Sequence, residues 1–164
     1  MRGPKEQRGG MQPRMQTLSL LRASEPLWFH EVRTVLKYLW AFPTTAVGLL
    51  FVPLAIMTRG QWQVVGNVIE INGGAVQWFL RACVPIAGGA SAMTLGHVVL
   101  GTDRHTLDRT REHERVHVRQ VERWGPLFIP AYFLAGAWQW FRGRNPYRDN
   151  PFERAAREET QPRT

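Results

Sequence analysis

The chain has 164 residues, enough for one domain with appendages, and 21 Lys+Arg against 13 Asp+Glu leave it a formal charge of +8. A single cysteine, Cys83, excludes an intramolecular disulfide and any Cys-based zinc or iron–sulfur site. The cationic balance suits either nucleic acid or anionic lipid; seven Trp and a long uncharged run favour lipid, and no RNP-like, zinc-knuckle or helix-turn-helix pattern supports nucleic acid as a partner.

Residues 1–16 are rich in Gly, Pro, Gln and Arg without apolar periodicity, which predicts a disordered basic tail. Residues 17–59 read as an N-terminal helical segment that anchors the chain in a membrane. Between Lys37 and Arg59 lie 21 uncharged residues, long enough to span a hydrocarbon core, with Tyr38 and Trp40 at one rim and Trp62 at the other. Pro43 and Pro53 would kink such a helix.

Beyond it the grammar changes. Residues 63–71 (QVVGNVIEI) and 75–80 (AVQWFL) are rich in β-branched and aromatic residues, and they predict two strands joined at Asn72-Gly73-Gly74. Residues 91–101 (SAMTLGHVVLG) predict a third strand, although the uncharged run 82–102 could also form a second span. From Thr106 to Trp124 a polar sequence with Val116, Val118, Val121 and Trp124 predicts a helix, with Thr106 as N-cap and Gly125-Pro126 as the stop. An apolar stretch follows to Phe141. A last helix is predicted from Pro151, capped by Asn150 and with Pro at its first position. Residues 158–164 read as a second disordered tail.

The chemistry lies in His113-Glu114-Arg115-Val116-His117, an H-E-x-x-H pattern. Residues four apart share a helix face, so both imidazoles can reach one Zn2+ ion and leave room for a third ligand and a water. Glu114, about 100° round the helix from His113, is placed to take that water's proton as a general base. Chance gives the pentapeptide in roughly one chain in a hundred of this composition. Against it stand Glu112 and Arg115, charges where such motifs usually carry none; the bland alternative is a solvated charged helix with two incidental His. Gln120 and Arg123 occupy the positions where a metzincin needs Gly and His, which excludes that class. The remaining route is a carboxylate from a later helix. Glu153 fits best, since Asp149 precedes that helix and Glu158 and Glu159 lie in its fraying end. Gln120 is a candidate brace for His117. Tyr132 and Tyr147 are candidate polarisers of a scissile carbonyl, with packing the plainer role for each. His97 and His105 are weaker candidates, and His30 reads as interfacial.

HERVHVRQVERWG followed by YRDNPFERAA resembles small bacterial families of gluzincin type and, more distantly, the membrane-bound group that includes the CaaX-type prenyl-protein proteases. The likeness covers residues 90–157. In that group the downstream ligand is the Glu of an E-x-x-A-D motif, and Glu153-Arg154-Ala155-Ala156 matches its first four positions. Arg157 stands in place of the Asp, which puts in doubt the usual support of a ligating His. The resemblance also implies a strand before the metal-binding helix, along which substrate lies; residues 91–101 occupy that place.

The expected architecture is α+β: a minimal zincin-like domain over 60–157, with a short sheet, the H-E-x-x-H helix and a later ligand helix, tethered by an N-terminal membrane helix. The expected function is a zinc metallopeptidase acting on peptide or protein at a membrane, with His113, His117 and Glu153 as ligands and Glu114 as base. The rival is a membrane-attached protein that binds zinc without turnover. The bacterial resemblance points to an inner membrane. Orientation stays open, because seven Lys/Arg precede the span and twelve lie beyond Thr102, and one span cannot put both groups on one side. A further constraint falls on residues 126–141. Were they to cross the bilayer, His117 and Glu153 would lie on opposite sides, so a shared ion requires that segment to be buried, re-entrant or interfacial.

Overall fold

A computed structural model describes residues 27–86 and 88–161. The expected basic tail over 1–16, residues 17–26 and the last three residues lie outside the described residues. Two compact units divide the chain, residues 1–34 and 35–164; the described part of the first is helical from Leu27, and the second holds everything below.

The architecture is α+β, with one small mixed sheet. The expected 38–58 helix is two helices: α1 (Leu27–Leu49), with Pro43 inside it, and α2 (Phe51–Met57). With Leu50 between them they contain Glu31–Met57, a stretch of 27 residues whose most apolar 18-residue window has mean hydropathy 1.8, long and apolar enough by length and composition to cross a membrane. Within the second unit this segment does not stand free of the domain. Ala41, Thr44 and Gly48, spaced three and four apart, form a buried stripe of small side chains. The stripe lets the helix approach the sheet closely: a Cβ on Gly48 would stand 2.6 Å from the Cβ of Val98.

Two hairpins follow, both placed differently from the sequence expectation. Residues 63–71 are not one strand but most of a hairpin, β1 (Gln61–Val65) and β2 (Val68–Asn72), paired antiparallel with Val65 opposite Val68. Residues 91–101 form another, β3 (Ala92–Leu95) and β4 (Val98–Gly101), with Leu95 opposite Val98. Each two-residue loop opens with a glycine at positive φ, Gly66 at 63° and Gly96 at 68°, as in a type II′ turn. The Asn72-Gly73-Gly74 signal is a reversal of another kind. It leads into a helix, α3 (Gly74–Ala82), where a strand was expected. Val76 and Leu80 are buried four residues apart with Phe79 packed beside them, so the period of this segment is helical and its β-rich composition misleads.

The sheet order is β1-β2-β4-β3, with β2 and β4 parallel. Its two faces carry different cores. Ile71, Val98 and Leu100 pack with Ala55 of α2 and with Val76 and Leu80 of α3. Val68 and Val99 point the other way and pack on Leu107 and Val118 of α4 (Arg104–Trp124). The N-cap of this helix lies three residues earlier than expected: it is Asp103, whose carboxylate accepts from the Thr106 N–H at 2.8 Å. The helix ends at Gly125-Pro126 as expected. A short 3-10 turn (Gly125–Leu127) then leads into α5 (Phe128–Phe141). The last helix, α6 (Pro151–Thr160), has Asn150 as N-cap, its side chain accepting from the Phe152 N–H at 3.1 Å.

Candidate metal centre

Three side chains from two helices converge on one point. His113 and His117 project from the same face of α4, whose cap and buried Val116, Val118 and Val121 fix its rotation against the sheet. Glu153 comes from the first turn of α6 and is buried. The two imidazole Nε2 atoms are 3.1 Å apart. Glu153 Oε1 stands 3.2 Å from Nε2 of His117, and Oε2 stands 3.3 Å from Nε2 of His113. Among the described residues, this is the one group of three His, Cys, Asp or Glu side chains with the spacing to hold a metal ion.

The donor set fits a zinc ion. Zinc bonds of 2.0–2.1 Å in a tetrahedron give ligand-to-ligand edges of roughly 3.3 Å; the three separations approach this, with a different Glu153 oxygen facing each imidazole. Glu153 Oε2 is buried and lacks a hydrogen-bond donor; its charged neighbours are His113 at 3.3 Å and Arg157 at 3.8 Å. Burial pushes the Glu153 carboxyl up, but the His113 and His117 imidazoles and the Tyr132 hydroxyl outweigh it and hold the group well below the ordinary carboxylate range. Burial pushes the His117 imidazole down, and here too the neighbours prevail: Glu153 and Glu114 hold it above its ordinary value. Both shifts have one cause: the buried Glu153 carboxylate favours positive charge on the atoms facing it.

Around this point a shell of side chains is satisfied in detail. Gln120 Oε1 lies 2.9 Å from His117 Nδ1, and its Nε2 donates to the Phe152 carbonyl at 3.1 Å. The amide therefore ties the ring of His117 to α6 and leaves Nε2 turned toward the cluster. Tyr132 of α5 donates its hydroxyl to Glu153 Oε1 at 2.8 Å; burial and the neighbouring carboxylate keep that phenol protonated, above its ordinary value. Tyr147 is held up by burial and by the same carboxylate. Arg157, where the E-x-x-A-D pattern has Asp, lies 3.8 Å from Glu153 Oε2 and donates to the Arg148 carbonyl. It addresses the glutamate, and the support of His117 comes from Gln120 instead.

Glu114 is buried on the sheet side of α4. Thr94 of β3 donates its hydroxyl to Glu114 Oε2 at 2.8 Å and also reaches the Glu114 carbonyl at 3.3 Å. Burial lifts this carboxyl above its ordinary value against the pull of His117, Thr94 and His113. A raised carboxyl is a better proton acceptor once ionised. Thr94 is the contact that sequence reasoning missed; its one signal was a hydroxyl residue in the segment 91–101 that precedes the motif helix.

Glu112 and Arg115, the two charges that counted against the motif, face outward and pair with each other at 3.8 Å. His97 does not join the cluster. It is buried, 3.3 Å from Glu122 and stacked on Tyr38 with ring centroids 4.4 Å apart. It lines a cavity of about 470 Å³ with Tyr38, Phe42, Thr45 and Ile69, which shares no residue with the metal cluster. His105 is exposed at the start of α4, and the side chain of His30 lies outside the described residues. No family model, no curated protein and no solved structure matches this chain.

Proposed function

We propose that this chain is a membrane-associated zinc metallopeptidase, with His113, His117 and Glu153 as ligands and Glu114 as general base. The observation that carries the reading is the convergence of two imidazole Nε2 atoms, 3.1 Å apart, on one carboxylate that sets Oε1 3.2 Å from His117 and Oε2 3.3 Å from His113, contributed by two helices that meet only through tertiary packing. Three protein donors leave a fourth position open, which is the arrangement of catalytic rather than structural zinc.

A bound zinc ion would supply Lewis acidity, drawing the pKa of a coordinated water toward neutrality. The chain's own residues account for the rest. Gln120 fixes the His117 ring. Glu114, held by Thr94, would accept the proton as the water attacks a peptide carbonyl and then hand it to the leaving amine. Tyr132 keeps Glu153 in place by donating to its Oε1. β3 is an edge strand, so an extended peptide pairing along it would lie beside the helix that carries Glu114. That supports peptide as the substrate class.

The test is a pair of variants. Glu114→Gln is expected to keep zinc and fold while losing hydrolysis of a casein-type substrate by about 10²–10⁴. Glu153→Gln is expected to weaken zinc retention itself. Loss of zinc in both would show the two carboxylates misassigned. Full activity in Glu114→Gln would exclude the motif as the catalytic site. Zinc in a wild type that hydrolyses no peptide would favour the binding protein without turnover.

A further inference from the structure

α5 is apolar on every side, and only one side is covered by the domain. Phe128 and Gly136 are buried, Ile129, Tyr132 and Gln139 are half-buried, and Tyr132 holds Glu153. Opposite them run Pro130, Phe133, Leu134, Ala137, Trp138 and Phe141, all exposed and spaced three and four apart. Leu134 is 71% exposed and Phe141 76%. A helix that is hydrophobic all round is buried in protein or lies in lipid, so this outer stripe calls for an occupant.

Charge identifies it. The stripe runs directly into Arg142, Arg144 and Arg148, all exposed. The guanidinium of Arg142 lies over the Trp138 ring, 5.8 Å from its centroid. Six of the eight arginines of α4 and α6 are ion-paired, namely Arg104, Arg111, Arg115, Arg119, Arg154 and Arg157. Among the described residues, the three that close the stripe pair with no acid. Aromatic and aliphatic side chains ending in guanidinium groups with no acid partner match the boundary of an anionic bilayer, where acyl chains meet phosphate.

Crossing is excluded by the geometry. A 14-residue helix is about 21 Å long, short of a hydrocarbon core of about 30 Å. The residues that flank α5, His117 before it and Glu153 after it, also meet within 3.2 Å on one side.

We infer that the outer face of α5 lies in the interfacial layer of an anionic membrane, parallel to its surface, as a second lipid contact apart from α1 and α2. The same helix would then hold Glu153 through Tyr132 on its inner side, which sets the cluster one helix diameter from the lipid. The inference needs the cluster's geometry but not its metal.

Site-directed spin labelling of the full chain tests it, with Cys83→Ser as background and single cysteines at Leu134, Trp138 and Phe141. Each variant is reconstituted in vesicles of phosphatidylcholine mixed with phosphatidylglycerol. These side chains are exposed, so labelling removes little packing. Relaxation by oxygen is expected to exceed relaxation by a water-soluble nickel chelate at all three positions, with similar depth at each. Arg142→Ala combined with Arg144→Ala is expected to raise nickel access at Phe141 several-fold. Stronger nickel access in the parent would put the face in water, and protection from both reagents would put protein over it; either overturns the inference. A depth that peaks at Leu134 and falls away to Phe141 would mean crossing. An unchanged profile in the double arginine variant would overturn the assignment to anionic lipid. Zinc content is not read by this experiment, so its failure is separate from failure of the metal reading.

Discussion

Thr94 holds Glu114 with a single hydroxyl at 2.8 Å, and a hydrogen bond to a charged group contributes about 1.5–3 kcal/mol. Thr94→Val keeps the shape and removes the donor. Its expected effect is a fall in kcat of about tenfold, equivalent to about 1.4 kcal/mol, with zinc content unchanged. Thr94→Ser restores the donor and is expected to recover most of the rate. Equal damage from Ser and Val, or loss of zinc in either, would make Thr94 a packing residue. The sequence made His113, Glu114 and His117 legible because a helix turns a four-residue spacing into a shared face. Glu153 was legible because it opens a helix with clear start signals. Thr94 was not, and Tyr132 stood out only as a candidate carbonyl polariser and not as a partner of Glu153, since each acts across 20 or 21 residues of chain, and only tertiary packing sets which face of a strand or helix meets the site. Gln120 sat between the two cases: its place one turn past His117 was visible, but its bond to the Phe152 carbonyl was not.

At the scale of elements, the site depends on the angle at which α4 lies on the sheet. A polar clasp helps to set it. Arg111 of α4 donates to both oxygens of Glu70 on β2, at 2.7 and 2.9 Å, while Gln63 on the paired strand donates to Oε2 at 2.6 Å. The Arg111 hydrogen bond, helped by Gln63 and working against burial, holds the Glu70 carboxyl below its ordinary 4.5. A carboxyl lowered in the fold contributes fully above the unfolded pKa and loses its contribution as pH falls through the folded one. Glu70→Gln is therefore expected to lower stability by about 1.5–3 kcal/mol at neutral pH. The deficit should shrink as the pH is taken below 4.5, read by thermal unfolding in detergent. A deficit that stays constant across that range would mean Glu70 acts by packing alone. Helices α4 and α6 were legible because caps and stops mark them in the chain. The hairpins were placed wrongly because three glycine-led signals compete between residues 66 and 96. β-rich composition at residues 75–80 outweighed the weaker 3.6 period of Val76, Phe79 and Leu80.

On the scale of the whole molecule, the proposal is that apolar surface joins the site to a membrane. The outer side of α1 and α2, with Leu39, Phe42, Leu50 and Met57 exposed, remains unoccupied by the domain even though the inner stripe is packed. The account expects the protein to stay with membranes after an alkaline carbonate wash, and to be released only by detergent. Release by carbonate would reduce α1 and α2 to a surface helix pair. The length and composition of residues 38–58 were legible; their docking on the sheet was not, because small residues such as Ala41, Thr44 and Gly48 read as neutral within an apolar run. The central claim, that two helices of this chain meet to hold one metal ion, is tested most directly by metal analysis of protein purified from zinc-replete cells. The account predicts about one zinc per chain in the wild type, and none in His113→Ala or His117→Ala protein that keeps its fold. Wild-type protein free of metal, or histidine variants that retain the full complement, would contradict it.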